Sequence, residues 1–161
     1  MLEFSLDNEL HFPVDRMWEL LLDPEFNRGI YLQGLGFDEF DVVSQVEKSG
    51  ETTRVLRVVP RVNLPKPIVK LLGESFAYEE HVTYRAAEGF WRWDLNIPAA
   101  GDRVKIGGNI ELRPKGQNCI RHTTFEIEAK VFGIGGLIEK SAKKEVMGSY
   151  DKSAAWINAQ A

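Results

Sequence analysis

The sequence has little of what most catalytic and metal sites require. Its single cysteine, Cys119, excludes an internal disulfide and a cysteine-rich zinc site. The three histidines, His11, His81 and His122, lie far apart without the spacing of metal ligands, so we expect surface histidines, no metal and no cofactor. A GxSxG elbow is absent, and the glycines of the 133–136 segment are not followed by a phosphate-binding lysine. The residues therefore indicate no catalytic machinery.

Excess positive charge and long apolar runs are missing as well. The sequence has 20 lysines and arginines and 24 acidic residues, which gives a net charge of −4. This charge argues against a nucleic-acid-binding protein, because phosphate contacts need a clustered positive face. No apolar run approaches the ~18 residues of a membrane-spanning helix, and the start MLEFSLDNEL carries acids where a signal peptide carries basic residues. We expect one soluble, cytoplasmic domain over residues 1–161, of unspecified oligomeric state.

The first forty residues predict a strand followed by two short helices. Leu2, Phe4 and Leu6 alternate with polar residues, which is typical of a half-buried strand. The segment VDRMWELLLD has apolar residues at helical spacing after a proline, and Asp23 with the following proline ends it. A second short helix is predicted from residue 24 to about residue 32, before a pair of glycines.

Six further strand patterns follow, separated by short turns. Parallel strands need crossover connections of a dozen or more residues, so the short turns predict an antiparallel meander. The predicted strands cover residues 40–46, 52–59, 75–85, 90–97, 103–113 and 119–131.

The last segment, residues 137–158, has no proline and a helical pattern of apolar or small residues. A helix of about 25 residues is about 37 Å long. Seven strands at ~4.8 Å spacing span roughly 34 Å. One helix can therefore cross the whole predicted sheet.

This order of elements resembles the START-like superfamily, also called SRPBCC or helix-grip, over nearly the whole chain. The resemblance rests on the opening strand, the segment FPVDRMWELLLDPEF and the glycine-led final helix. Within the superfamily the chain looks most similar to a small bacterial family of unassigned function. The resemblance implies an α+β fold in which a seven-stranded curved antiparallel sheet wraps around the long C-terminal helix, with two short helices between the first and second strands. It also implies an apolar cavity that takes lipids, sterols or polyketide-like molecules.

The residues themselves favour such a cavity. The final helix has the small residues Ser141, Ala142, Gly148 and Ser149, and one strand has the glycine pair 107–108. Space is therefore expected between helix and sheet. The alternative is that bulky aromatic residues fill this space completely. The expected lining is Leu56, Val58, Phe76, Tyr78, Trp91, Trp93, Ile106, Ile110, Thr123, Phe125, Ile138, Ala142 and Val146.

The segment 60–73, PRVNLPKPIVKLLG, is too long for a hairpin turn and contains a short amphipathic pattern after Pro67. Two interpretations stay open. The segment is a lid that caps the cavity and transiently contacts a membrane surface through Lys66 and Lys70, or it packs over the end of the sheet and completes the core. The predicted lid residues are Leu64, Ile68, Val69, Leu71 and Leu72.

Three polar residues on largely apolar strands are catalytic candidates. Glu80 and Tyr78 share one face of the 75–85 strand, and Arg57 lies in the 52–59 strand. If Glu80 points inward it must be paired or neutral, which would make it a candidate general base. The alternative is a carboxylate exposed to solvent at the end of its strand.

Three functions are compatible with the sequence. The favoured one is a non-catalytic carrier or sensor of a hydrophobic small molecule. The second is an enzyme of the cyclase, aromatase or hydrolase type that occurs among START-like proteins, with Glu80, Tyr78 or Arg57 assisting proton transfer. The third is a protein-interaction module of the co-chaperone type, using the outer sheet face around Arg92, Asp94 and Arg103.

Overall fold

Seven antiparallel strands form one sheet in the computed structural model, which describes residues 1–161. Their order is β1-β7-β6-β5-β4-β3-β2, so that β1 and β2 are the edge strands and the last strand returns beside the first. The predicted antiparallel meander is confirmed. The strands are β1 (Leu2–Leu10), β2 (Glu39–Lys48), β3 (Glu51–Val59), β4 (Tyr78–Arg85), β5 (Phe90–Asn96), β6 (Val104–Lys115) and β7 (Asn118–Ala129).

Four α-helices accompany the sheet, and none of them combines the length and apolarity needed to cross a bilayer. The 25-residue helix α4 packs against β1 and β7, two neighbouring strands at one edge of the sheet. The helices are α1 (Val14–Leu22), α2 (Pro24–Arg28), α3 (Lys66–Leu72) and α4 (Gly135–Ala159). Single 3₁₀ turns occupy Ala86–Glu88 and Gly101–Arg103.

The second short helix ends earlier than the sequence predicts, because α2 passes into a π-helical turn at Gly29–Gly34. This turn packs against α4. A Cβ atom on Gly34 would lie only 2.9 Å from the Cβ of Trp156, so the glycine permits the close approach. The turn brings Tyr31 to the inside of the molecule, where it stacks on Phe40 of β2.

Side chains at the α1–α2 junction fix the direction of this segment. The Asp23 carboxylate accepts hydrogen bonds from the backbone N–H groups of Glu25 and Phe26, capping α2. The Asn27 side chain is buried and donates to the carbonyl oxygens of Leu20 and Leu21 at 3.2 and 2.8 Å. The end of α1 is therefore tied to α2 by a buried polar contact, which holds the π-helical turn over the sheet.

The core lies between α4 and the inner face of the sheet. Trp91 and Trp93 of β5 point inward and are buried, whereas Arg92 between them lies on the outer face. The ring of Phe125 packs against Trp93 and Tyr150. Aromatic rings therefore fill part of the space under α4.

The expectation that Gly107 and Gly108 leave room for a ligand is wrong. A Cβ atom on Gly108 would lie 2.9 Å from the indole of Trp93, so the missing side chain is replaced by that ring. A Cβ on Gly107 would meet the Arg92 and Asp94 side chains on the outer face at 2.5 Å. Side chains of the protein itself therefore occupy the space beside the two glycines, and no room for a ligand remains there.

Candidate functional site

Two neighbouring chambers lie between the sheet and α4. The outer chamber has a volume of about 110 Å³ and the inner chamber about 120 Å³. They share the wall residues Phe37, Tyr78, Leu95, Val146 and Ser149, so the two chambers lie next to each other. The aromatic residues of the core thus reduce the space without closing it.

The outer chamber is almost entirely apolar. Its wall has 15 hydrophobic residues among 19, and Glu145 of α4 is its one charged residue. Ser141 and Ala142, two small residues of α4, line it, whereas Gly148 lines neither chamber. Such a wall favours the hydrocarbon part of a ligand.

Helix α3 covers the outer chamber. Four of the expected lid residues, Leu64, Ile68, Leu71 and Leu72, line this chamber, and Ile68 is 3% exposed. Val69 does not line it. The segment therefore sits where a lid would have to be, and its opening remains a prediction.

Most of the expected lining residues lie in the cavity walls. Phe76, Ile106, Ile138 and Ala142 line the outer chamber, Trp91, Trp93 and Ile110 line the inner one, and Tyr78 and Val146 line both.

Leu56, Val58, Thr123 and Phe125 are buried but line neither chamber, which corrects their assignment. Leu56 and Val58 belong to a separate apolar cluster with Phe37 and Phe40. Phe125 is covered by other aromatic rings, including that of Phe4, which stacks on it at 4.8 Å.

Three charged side chains are buried around the inner chamber: Arg54 and Arg121 at 3% exposure and Glu80 at 9%. The alternation of β3, β4 and β7 turns each of them inward. The hydroxyl of Tyr31 donates a hydrogen bond to the Glu80 carboxylate. Glu80 therefore points into the cavity and is paired, and the alternative of a solvated carboxylate does not hold.

Arg57 is not part of the site, which corrects the third catalytic candidate. It faces the other side of β3, where its guanidinium lies 3.7 Å from Glu39 and is 42% exposed. The inward arginine of this strand is Arg54, whose Nη1 donates to the carbonyl oxygen of Leu21 at 2.6 Å.

Arg121 connects three elements. Its Nη2 donates to the Asn8 side chain of β1 at 2.9 Å, and to the Tyr150 carbonyl and the Ser153 hydroxyl of α4 at 2.9 and 3.0 Å. Its guanidinium also lies over the Tyr150 ring, 4.6 Å from the centroid. Burial lowers the pKa of Arg121, because the charged form is removed from water.

The cavity tyrosines are held neutral. Burial raises the pKa of Tyr31 and Tyr78, and the nearby Glu80 charge raises both further. Burial also raises the pKa of Tyr150, against the opposing influence of Arg121. These phenols therefore act as neutral hydrogen-bonding groups in the cavity wall.

The sequence interpretation misses Tyr31, Arg54, Arg121, Tyr150 and Ser153. A signal existed for the arginines, because a charged residue on the buried alternation of a strand is unusual. Arg54 precedes Leu56 on the inward face, and Arg121 stands between two buried residues of that face. No comparable signal exists for Tyr31, whose position depends on the π-helical turn.

The outer surface carries compensated charges. Arg92 pairs with Asp94 and Glu126 at 2.7 and 3.1 Å, and Arg103 donates to the Ala100 carbonyl. His81 contacts Glu79 and His122 contacts Asp7 on this outer side. No group of three or more His, Cys, Asp or Glu side chains is arranged to hold a metal.

The comparisons with known proteins identify the fold as START-like. A family model described as "Protein of unknown function (DUF2505)" matches residues 5–159. No curated protein is significantly similar in sequence. A START superfamily protein from Mycobacterium smegmatis is 16% identical, with a TM-score of 0.62 over 98% of this chain and 95% of that one.

Two further solved structures share the fold. The Zhui aromatase/cyclase from Streptomyces sp. R1128 is 12% identical, with a TM-score of 0.67 over 99% of this chain and 92% of that one. Norcoclaurine synthase from Thalictrum flavum, in complex with dopamine and hydroxybenzaldehyde, is 14% identical, with a TM-score of 0.65 over 99% of this chain and 85% of that one. The helix-grip architecture implied by the sequence is thus confirmed.

Proposed function

The chain belongs to the DUF2505 family of unknown function, and we propose that it binds a hydrophobic small molecule in the cavity between its sheet and α4. The observation that carries this proposal is the apolar outer chamber that lies beside the inner one. Apolar space of this kind is stabilised by an apolar occupant, because the wall atoms regain dispersion contacts. The protein would act as a carrier or sensor, with α3 as the lid through which the ligand enters.

The size of the cavity limits the ligand. An engineered protein cavity of about 150 Å³ binds one benzene molecule. The combined volume of the two chambers is roughly one and a half times as large. A ligand that occupies both chambers has about ten non-hydrogen atoms. A sterol or a long polyketide would require α3 to move away from the outer chamber.

The structural neighbours support a small-molecule role. Norcoclaurine synthase holds dopamine and hydroxybenzaldehyde on the same fold, and these are small aromatic compounds. The fold is therefore able to enclose molecules of the size that the two chambers admit.

A cavity-filling substitution tests the proposal. Ala142→Leu adds three carbon atoms to the wall of the outer chamber, so we expect it to weaken binding of the uncharged probe 1-octanol at least tenfold. Isothermal titration calorimetry measures the affinity. The control Ala155→Leu places the same side chain on the exposed face of α4. Equal octanol affinity in both variants would contradict the proposal.

A second candidate function, acid–base catalysis, is favoured by the buried Glu80–Tyr31 hydrogen bond in the inner chamber. A carboxylate in that position could remove a proton next to a ketone, and a tyrosine or arginine could stabilise the enolate oxygen. The Zhui aromatase/cyclase has the same fold, which supports an enzymatic role as the second candidate.

Hydrogen exchange of phenylacetone in D₂O tests the catalytic candidate without knowledge of the natural substrate. If Glu80 is a general base, the protein should accelerate deuterium incorporation, and Glu80→Gln should slow the catalysed exchange about 100-fold. Proton NMR follows the loss of the α-hydrogen signal. Glu79→Gln, the neighbouring residue that contacts His81 on the outer face, is the matched control. Exchange at the buffer rate would exclude catalysis on this ketone.

A further inference from the structure

The unpaired buried side-chain atoms around the inner chamber are mostly hydrogen-bond donors. The buried side-chain atoms without a hydrogen-bond partner in the protein are Nε of Arg54 and Arg121, Nε1 of Trp91 and Trp93, and Oγ1 of Thr123. The four nitrogen atoms are all donors, and all belong to residues that line the inner chamber. Thr123 lies two residues beyond Arg121 on the same face of β7. Unpaired buried donors are rare and costly, so their concentration around one cavity indicates an acceptor-rich occupant.

The inner chamber also has an excess of positive charge. Arg54 and Arg121 face it with one carboxylate, Glu80, and none of these three groups forms an ion pair within 4.0 Å. The Glu80 carboxylate is engaged by Tyr31. Asp151, the other acid near Arg121, is exposed on α4 and accepts a hydrogen bond from Asn8. Two desolvated guanidinium groups opposite a single carboxylate leave one positive charge to be neutralised.

The two guanidinium groups are held in place by aromatic rings. Arg54 lies over the Trp91 ring at 5.1 Å from the centroid, and Arg121 lies over Tyr150 at 4.6 Å. Their positions are therefore fixed before a ligand arrives, which reduces the entropic cost of binding. Guanidinium groups with free N–H donors match the oxygen atoms of a carboxylate.

We propose that the ligand is an amphipathic monocarboxylate. Its carboxylate accepts hydrogen bonds from Arg54 and Arg121 in the inner chamber, and its hydrocarbon body passes the shared wall into the apolar outer chamber. Glu145, the charged residue of the outer chamber, repels the carboxylate and so enforces this orientation. This inference rests on the proposed small-molecule function and specifies its ligand class. Octanoate, with about ten non-hydrogen atoms, has the size that the two chambers admit.

A series of eight-carbon probes tests the inference on the unmodified protein. Calorimetry at pH 7 should show octanoate binding at least tenfold tighter than 1-octanol, with octylammonium the weakest of the three. Equal affinity for octanoate and octanol would overturn the carboxylate inference and leave the proposed function standing. Failure of all three probes to bind would overturn both.

Arg54→Met identifies the residue that recognises the charge, and Arg57→Met on the outer face of the same strand is its control. We expect Arg54→Met to weaken octanoate binding ten- to a hundredfold, so that the ratio of octanoate to octanol affinity falls towards one. Arg57→Met should keep the ratio of the unmodified protein. An unchanged ratio in Arg54→Met would overturn the inference, because the free donors would then be satisfied by water.

Discussion

Arg121→Met is expected to lower the free energy of unfolding by about 3 kcal/mol, because hydrogen bonds from a buried charged group contribute about 1.5–3 kcal/mol and the partners left behind are desolvated. The guanidinium joins Asn8 of β1 to Tyr150 and Ser153 of α4. Its removal leaves the Asn8 side-chain oxygen without this donor in the interior. The substitution is therefore expected to weaken the attachment of the edge strand β1 to helix α4.

Urea unfolding followed by tryptophan fluorescence measures this loss, and Arg113→Met provides the control. Arg113 is an exposed arginine that pairs with Glu111 at 3.2 Å, and such surface pairs contribute about 0–1 kcal/mol. Similar unfolding free energies for the two variants would show that the Arg121 contacts do not stabilise the fold. A higher unfolding free energy for Arg121→Met would show that the desolvation penalty of the guanidinium exceeds the stabilisation from its hydrogen bonds. The arginine would then be retained for a ligand alone.

The fold could be predicted from the sequence because local patterns specify it. Period-two alternation identifies the strands, short turns make them antiparallel, and the length of the final helix matches the width of the sheet. The apolar lining follows from the same alternation, since Trp91, Trp93 and Ile106 occupy inward positions of their strands.

The polar part of the site was harder to predict from the sequence. Arg57 stands between Leu56 and Val58, so the inward direction of its two neighbours places it on the outer face. Arg54, two residues before Leu56, is the arginine that the same rule turns inward. This error is therefore one of register, and the sequence already contained the information to avoid it.

Tyr31 could not have been placed from the sequence. It lies in a π-helical turn whose shape depends on the packing of Trp156 from α4 against Gly29 and Gly34. This contact joins residues more than a hundred positions apart, and a local pattern does not reveal it. The partner of Glu80 is thus set by tertiary packing, whereas the burial of Glu80 follows from the alternation of β4.

The protein is expected to lose stability steeply above pH 10, because Tyr31, Tyr78 and Tyr150 have raised pKa values in the folded state. An unfolded tyrosine ionises near pH ~10. Below that pH both states hold the phenolic proton, so these groups do not change the stability. Above it the unfolded state releases protons that the folded state retains, and each group lowers the unfolding free energy by about 1.4 kcal/mol per pH unit. Three such tyrosines give a slope of about 4 kcal/mol per pH unit.

Absorbance at 295 nm reports tyrosinate, and circular dichroism reports the fold in the same titration. The fourth tyrosine, Tyr84, also has a raised pKa through burial and the Asp15 charge, so the native protein should give little tyrosinate signal near pH 10. Tyrosinate should instead appear together with the loss of structure. Tyr78→Phe removes one coupled proton and leaves the Tyr31–Glu80 contact in place, so its stability should fall less steeply with pH. Gradual tyrosine ionisation near pH 10 in a protein that stays folded would contradict this prediction, because solvent would then reach the phenols of the cavity wall.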